Sequence, residues 1–381
     1  MLSRRAFLGM ITCLVAFLIY ASLFWPSNSF ELYTGGTVGQ VRQALEDGAD
    51  VNARDANGFT PLMLAVGARQ ETDPNIEIAR LLIYHGANVH AEYELEPYLG
   101  KTALHWAVLR LPEVIPDLLD AGADIDARSD RGTPLMLAVT ETANAPESYT
   151  LLLQRGADVA IENPPFGTAL SWALRLGTTP EAVMSLLDAG ADAHGEHALI
   201  SAAGSRASAV RNSIPILKRI LDEGVDVNAV DAIGQTAILS AVRGGASIET
   251  LNFLIYNGAN TSVVLNNNAT IWHSYALSYF FYTLRYDLDV PPEEITNDDI
   301  LAILKASGVS VNQADNMGVT PLMFAAQFGT RRAVNLLIRA GADTAQRDFE
   351  GRSAYDHARS DLKAYVSHSG FLDYQQSEQI R

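Results

Sequence analysis

A short string built on Gly-Ala-Asp-Val-Asn recurs along the chain and constrains the fold more than any other feature. Copies begin at Gly48, Gly86, Gly122, Gly156, Gly190, Gly224, Gly258, Gly308 and Gly341. Most neighbouring copies are 33 to 38 residues apart, the length of one supersecondary unit in a repeat architecture. A unit of this size cannot bury its apolar face alone, so the pattern predicts stacked units that share one extended core.

A second string follows most of these glycines, and its clearest copies start at Thr60, Thr102 and Thr320. The first copy reads Thr-Pro-Leu-Met-Leu-Ala. The two linked strings resemble the ankyrin repeat over roughly residues 30–381. The resemblance implies an all-α fold, an ankyrin-repeat α-solenoid of about nine helix-turn-helix repeats with β-turn fingers.

The residue chemistry of one repeat supports this fold independently. Thr60 can cap a helix by accepting a backbone N–H, and Pro61 at the first helical position loses no useful donor. A second apolar-periodic helix follows, and Gly86 can end it in the left-handed conformation. The run Asp55–Gly58 has the composition of a turn, which predicts a finger between successive repeats.

Deviations from the usual repeat length mark the parts of this chain that differ from a regular repeat. The 36-residue spacing after Gly86 enlarges one finger through residues 93–99. After Gly190 the finger is nearly absent, and a longer segment, 205–213, separates the two helices of that repeat. Such a repeat either bends the stack or lowers its local stability, and the sequence leaves both outcomes open.

The largest departure is an insert near residues 277–296, within the 50-residue spacing after Gly258. Seven aromatic residues lie between Trp272 and Tyr286, among them Tyr279, Phe280 and Tyr282. One interpretation buries these rings against neighbouring repeats. The other makes them a patch for a partner or a membrane surface, because Tyr and Trp are enriched where interfaces concentrate their energy.

The N-terminus, residues 1–29, is predicted to be a signal anchor or transmembrane segment. Ala6 to Trp25 is an uncharged 20-residue run, and as a helix it would span about 30 Å, the thickness of a bilayer core. No clean cleavage site follows, which favours an uncleaved anchor over a cleaved signal peptide. Arg4 and Arg5 resemble either a twin-arginine export signal or two positive charges flanking an anchor.

These features predict a single-pass protein of the inner (cytoplasmic) membrane. With the two arginines held on the cytoplasmic side, the ankyrin domain, 30–381, would lie on the periplasmic side of a bacterial envelope. Membrane contact would then be made by the N-terminal helix only.

Charge and cysteine content narrow the function classes further. The chain carries a net charge of −17, and its only charged residues before position 26 are Arg4 and Arg5, so the remainder carries −19. Such a body repels nucleic acid and anionic headgroups. The single cysteine, Cys13, excludes an intramolecular disulfide and a zinc site built from several cysteines.

A search for catalytic groups turns up no convincing constellation, and we expect no enzyme activity, cofactor or metal. The resemblance assigns His105 and His273 to a first-helix position where histidine makes a structural hydrogen bond. His194 and His197 lie in a turn and lack the helical spacing of a zinc hydrolase motif. The glycine-rich stretches lack the lysine of a phosphate loop.

Recognition of a protein partner is therefore the expected function. In ankyrin proteins, finger tips and first helices form a concave surface that binds other proteins. Carried onto this chain and joined by three residues of the aromatic insert, the candidate contacts are Asn57, Phe59, Tyr98, Lys101, Arg110, Arg175, Gln235, Arg243, Tyr279, Phe280, Tyr282, Met317, Val319 and Phe328.

The main hypothesis is an envelope-anchored scaffold or regulator that binds a periplasmic protein. Two alternatives stay open: a secreted effector acting on host proteins, and an envelope ligand sensor or enzyme that uses the aromatic insert. The effector requires cleavage of the N-terminal segment, whereas the sensor requires a pocket near the insert.

Overall fold

The computed structural model describes residues 29–67, 75–140, 145–164, 167–176, 179–195, 197–205, 207–277, 297–359 and 362–366. Within these ranges the regular structure is helical, with isolated β-bridges in turns, such as Ser129 with Gly132. The predicted anchor lies outside the described residues except for its last position. Among the described helices, none combines the length and the apolar character needed to cross a membrane.

The described residues form two compact units, divided between Asn163 and Pro164. The first unit contains short 3-10 helices at Ser29–Glu31 and Pro112–Val114. Its α-helices are α1 (Leu32–Gly35), α2 (Val38–Glu46), α3 (Pro61–Ala65), α4 (Ile76–Tyr84), α5 (Ala103–Arg110), α6 (Ile115–Asp120), α7 (Pro134–Thr140) and α8 (Ala145–Gln154).

The second unit continues the same alternation of first and second helices. Its described helices are α9 (Ala169–Leu176), α10 (Pro180–Asp188), α11 (Ala198–Ala203), α12 (Ser208–Arg211), α13 (Ile214–Asp222), α14 (Ala237–Gly244), α15 (Ile248–Tyr256), α16 (Ile271–Ala276), α17 (Asn297–Ala306), α18 (Pro321–Phe328), α19 (Arg331–Arg339), α20 (Ala354–His357) and α21 (Lys363–Val366).

Helix boundaries follow the predicted chemistry. The Thr60 hydroxyl accepts a hydrogen bond from the Met63 N–H at 3.3 Å, and Pro61 is the first residue of α3. Past the end of α4, Gly86 has a φ of +83°, in the left-handed region that favours glycine. The predicted cap, first-position proline and terminating glycine are all confirmed.

The core is a row of first helices that pack against one another within each unit. In the first unit α1, α3, α5 and α7 are successive neighbours; in the second unit α9, α11, α14, α16, α18 and α20 are. All five residues of α3 are buried, because the helix lies between two neighbours and has no free face. Burying a side chain such as Leu62 contributes about 1.5–3 kcal/mol to folding.

The repeat that lacks a finger has a distinct local structure. Helix α11 begins at Ala198, eight residues after Gly190, whereas α14 begins thirteen residues after Gly224. The chain enters α11 through His197, whose φ of +50° is left-handed. The longer segment after α11 forms α12, and the buried Arg211 in it donates from Nη1 to the Ser205 carbonyl at 2.7 Å. The missing finger is therefore a local change inside an intact row of first helices.

Candidate protein-binding surface

Several fingers are turns closed by the side chain of one aspartate. In the finger before α14, Asp231 Oδ1 accepts hydrogen bonds from the backbone N–H groups of Ile233 and Gln235, at 3.0 and 2.9 Å. Asp315 and Asp348 close their fingers in the same way. An aspartate that satisfies two backbone donors holds the tip in one conformation. The fingers are thus ordered turns that can present side chains in a defined geometry.

Four fingers of the second unit, at 231–235, 265–269, 315–319 and 348–352, are joined edge to edge; we call them the finger row. One backbone hydrogen bond of 2.9 to 3.2 Å links each neighbouring pair, from Asn266 N to Ile233 O, from Asn316 N to Asn267 O, and from Phe349 N to Met317 O. Asparagine side chains reinforce the row: Asn266 Nδ2 donates to the Ala232 carbonyl at 2.9 Å and Asn268 Nδ2 to the Ala314 carbonyl at 3.2 Å.

Three large apolar side chains stand exposed on the finger row. Ile233 is 52%, Met317 61% and Phe349 81% exposed. Large apolar side chains on ordered turns can serve as anchors for a partner, because interfaces concentrate their binding energy in a few residues. In the first unit, the enlarged finger similarly exposes Leu95 and Leu99.

Two buried histidines support fingers from below. His105 Nδ1 accepts a hydrogen bond from the Thr102 N–H at 3.1 Å, and its Nε2 lies 3.1 Å from the Gly132 carbonyl oxygen in the next finger. His273 makes the equivalent contacts with Thr270 and Val319. The predicted structural role of both histidines is confirmed.

Burial changes the protonation of these histidines. Desolvation lowers the pKa of His105 to about 4, although a hydrogen bond to the Gly132 carbonyl opposes the shift. Burial also lowers the pKa of His273. Because Nδ1 must accept from a backbone N–H, the bridging form is the neutral ring with its proton on Nε2. Neither histidine is placed to act as an acid or base on a ligand.

The enlarged finger of the first unit forms an aromatic cluster around a lysine. Lys101 Nζ lies 5.0 Å from the ring centre of Tyr98 and 4.6 Å from that of Trp106. Tyr93 stacks on Phe59, with ring centroids 4.6 Å apart. Cation–π contacts of this kind are worth about 2 kcal/mol when desolvated. The cluster explains how a lysine becomes buried in this finger.

The predicted contact residues divide into three groups. Asn57, Arg175 and Met317 are exposed, while Tyr98, Arg110, Arg243 and Phe328 are partly exposed. Phe59, Lys101, Gln235 and Val319 are buried, so they support the surface from beneath in this structure. Tyr279, Phe280 and Tyr282 lie outside the described residues.

Sequence reasoning missed the most exposed apolar residue of the finger row, Phe349. It occupies the finger position of Ala56 and Asn316, directly after the aspartate that closes the turn. Matching the last repeat to the clearer ones would have found it, because Asp348 and Gly351 preserve the spacing of Asp55 and Gly58.

The second unit also contains a cavity of about 370 Å³, which we call the notch. It lies where the finger before α11 is missing. The ends of α9, α11 and α14 and the finger at 231–235 line it, and two of its lining residues, Arg175 and Arg243, were predicted contacts. A volume of this size is at the lower end of the range for ligand pockets.

The aromatic insert is described only at its beginning. Trp272 and Tyr275 are buried in α16, and Trp272 Nε1 donates to the Val309 carbonyl at 2.9 Å. These two rings therefore belong to the core of the second unit. The remaining five aromatic residues lie outside the described ranges, so the choice between a buried insert and an exposed patch is still open for them.

In the part of the chain that the structure describes, no group of three or more His, Cys, Asp or Glu side chains is arranged to hold a metal ion. His194 Nδ1 lies 3.8 Å from the Asp192 carboxylate, and both side chains are exposed.

Comparison with known families identifies the chain. Models of ankyrin repeats match residues 35–129, described as three copies, and residues 205–255 and 303–358, each described as many copies. Together they cover more than half of the chain, which belongs to the ankyrin repeat family. Ankyrin repeats generally mediate protein–protein interactions and are typically binding modules without enzymatic activity.

Curated relatives match over parts of the chain only. The neurogenic locus notch homolog protein 1 of Danio rerio is 36% identical over 112 residues, 26% of this chain and 4% of the relative. The mitochondrial disaggregase of Bos taurus is 30% identical over 34% of this chain and 24% of its own length. The B-cell lymphoma 3 protein homolog of Mus musculus is 38% identical over 25% of this chain and 20% of its own length. The chain thus spans at most about a quarter of these relatives.

Proposed function

We propose that this protein is an ankyrin scaffold or regulator that binds a partner protein through its fingers and first helices. The observation that carries the proposal is the finger row, where three exposed apolar side chains stand on turns joined by backbone hydrogen bonds. Interfaces concentrate their energy in a few such anchors surrounded by polar residues. Asn266, Asn267 and Asn316 supply polar neighbours on the same row.

The charge of the chain supports a protein partner over a nucleic acid. A net charge of −17 repels phosphate backbones at long range. The same charge disfavours a partner that is acidic over its whole surface, because uniformly like-charged surfaces repel each other on encounter.

The proposal includes an envelope location, with the ankyrin domain on the periplasmic side of the inner membrane. Its support is the uncharged run 6–25 preceded by Arg4 and Arg5. A periplasm-active reporter fused after Arg381 tests it: we expect activity from a periplasmic reporter and none from a cytoplasmic one. The reverse result would contradict the location, and a mature N-terminus near Phe30 would contradict retention of the anchor.

Capture of a partner tests the binding function. The full chain, purified from gently solubilised membranes, should recover a protein in stoichiometric amount. Replacing Ile233, Met317 and Phe349 together by serine should reduce the recovery by about tenfold or more, since each loses buried apolar contact area. Failure to recover any stoichiometric protein would contradict the proposed function.

A further inference from the structure

The notch owes its shape to the missing finger. Only a short segment connects Gly190 to α11, so no turn of the usual length covers this part of the row of first helices. Gly204, just after α11, allows Ser240 of α14 to approach closely, since an added Cβ would collide with the Ser240 hydroxyl. The lost finger is therefore the departure from the repeat that forms the notch.

Two largely buried polar side chains line the notch. Gln235 is 4% and Ser240 5% exposed, and both contribute to the wall of the cavity. An amide and a hydroxyl group can donate hydrogen bonds to a polar ligand there.

Two guanidinium groups line the same cavity. In the described part of the chain, neither Arg175 nor Arg243 forms an ion pair or a side-chain hydrogen bond. Arg243 is largely buried, and desolvation lowers the pKa of its guanidinium while the nearby Asp231 carboxylate opposes that shift. A partly desolvated cation binds an anion more strongly than one in bulk water.

The net charge of the residues that line the notch favours one kind of anionic ligand over another. Two arginines and one aspartate, Asp231, leave a single net positive charge in the notch. Asp231 Oδ1 is occupied by the finger backbone, yet its charge stays and repels a second negative charge. A phosphate group carries about −1.5 to −2 charges at neutral pH, whereas a carboxylate carries one. A carboxylate therefore matches the notch better.

We propose that the notch binds a carboxylate presented by an extended acidic segment of the partner protein. Arg175 and Arg243 supply paired N–H donors that suit carboxylate oxygens, and Gln235 and Ser240 supply neutral donors beside them. The inference rests on the proposed function, because the bound protein provides the acidic segment. It adds a specific chemical preference to a family that recognises many different partners.

Fluorescence anisotropy with defined peptides tests the proposal on the full chain in detergent. The probes are a fluorescein-labelled peptide of alternating glycine and glutamate, its glutamine counterpart and its phosphoserine counterpart. The glutamate peptide should bind most tightly. Replacing Arg175 and Arg243 by glutamine should weaken its binding by roughly tenfold or more, because a hydrogen-bonded charge pair is lost. Arg175→Gln alone should weaken it less, and since Arg175 is exposed this variant keeps its fold.

A matched control replaces Arg42 and Arg331, two exposed arginines outside the notch, by glutamine. It changes the net charge by the same amount and should leave peptide affinity within about twofold. Equal weakening by the control, equal binding of the glutamine peptide, tighter binding of the phosphoserine peptide, or no binding of any peptide would overturn the proposal. If the finger-row variant loses partner capture but the wild-type chain does not bind the glutamate peptide, the notch proposal is overturned and the proposed function still stands.

Discussion

Several repeats carry an asparagine whose side chain forms hydrogen bonds with the backbone of the next repeat. Asn228 Nδ2 donates to the Gly258 carbonyl at 3.0 Å, and its Oδ1 accepts from the Asn260 N–H at 2.7 Å. Asp126 takes this position in one repeat of the first unit and accepts from the Asp158 N–H at 3.0 Å. As a carboxylate, it cannot supply the donor. Burial, followed by repulsion from Asp158, raises the pKa of Asp126.

Asp126→Asn should therefore stabilise the chain by about 1 kcal/mol at pH 7, because the amide restores a donor and removes a poorly solvated charge. Urea unfolding compares the variant with the wild type. The gain should shrink on acidification, because Asp126, whose pKa is raised by burial, becomes protonated and can itself donate. Asp130→Asn, the same change at an exposed position, is the control; an equal gain there would refute the explanation.

His105 makes stability depend on pH. Its pKa is about 4 in the folded chain, below the usual value of 6.5. Between these values the unfolded chain binds more protons, so this contribution is fully present above pH 6.5 and is lost as the pH falls toward 4. The total effect is roughly 3 kcal/mol.

His105→Gln should flatten the pH dependence of the urea midpoint in that window, leaving the part due to His273, whose pKa is also lowered. The exposed His90 is the matched site, and His90→Gln should keep the wild-type slope. An unchanged slope in the His105 variant would show that the histidine is not buried as a neutral ring.

The burial of individual side chains was the feature hardest to predict from the sequence. Matching repeats placed Phe59 and Lys101 in positions that contact partners, but neighbouring aromatic rings cover both. Tyr93 and Tyr98 belong to the enlarged finger, which has no counterpart in a regular repeat. The capping role of Thr60, in contrast, depends on local spacing and could be predicted, and the structural hydrogen bonds of His105 were implied by the family resemblance.

At the scale of the element, most fingers depend on a glycine shortly before the first helix, whereas Asn268 takes this left-handed position in the finger at 265–269. Gly318 has a φ of +79°, and an added Cβ would lie 2.8 Å from the Phe349 backbone nitrogen in the next finger. The glycine thus permits both the turn and the close approach that forms the finger row.

Gly318→Ala should destabilise the chain by about 1–3 kcal/mol, since it combines backbone strain with a steric clash. Thermal unfolding measures this directly. The control is Gly39→Ala in α2, where φ is ordinary and the nearest neighbour of an added Cβ is 3.9 Å away. That change should stabilise the chain by about 0.5–1 kcal/mol. A neutral Gly318→Ala would contradict the packing of neighbouring fingers.

The notch could not be predicted from sequence, although its cause was visible. The shortened segment after Gly190 and the long one after Ser205 both stood out from the repeat period. Their consequence depends on which side chains surround the space left behind, and those come from three separate repeats: Arg175, Ser201 and Arg243. The local sequence around a missing finger therefore says little about which side chains will line the space that the finger leaves.

At the scale of the whole molecule, repetition explains how a long chain folds without one large core. Each unit buries its apolar residues in layers between successive first helices, so stability accumulates through neighbour contacts. The architecture was predictable because the same signals recur. Partner choice was not, because it depends on the few exposed residues that differ between fingers.

The central claim is that the finger row binds a protein partner, and affinity capture with a matched variant tests it most directly. The triple serine variant of Ile233, Met317 and Phe349 is compared with a control in which Tyr84 and Tyr256, exposed at the ends of second helices, become serine. We expect the finger-row variant to capture about tenfold less partner, or even less, while the control captures as much as the wild type. Equal recovery by both variants, with both folded, would contradict the claim.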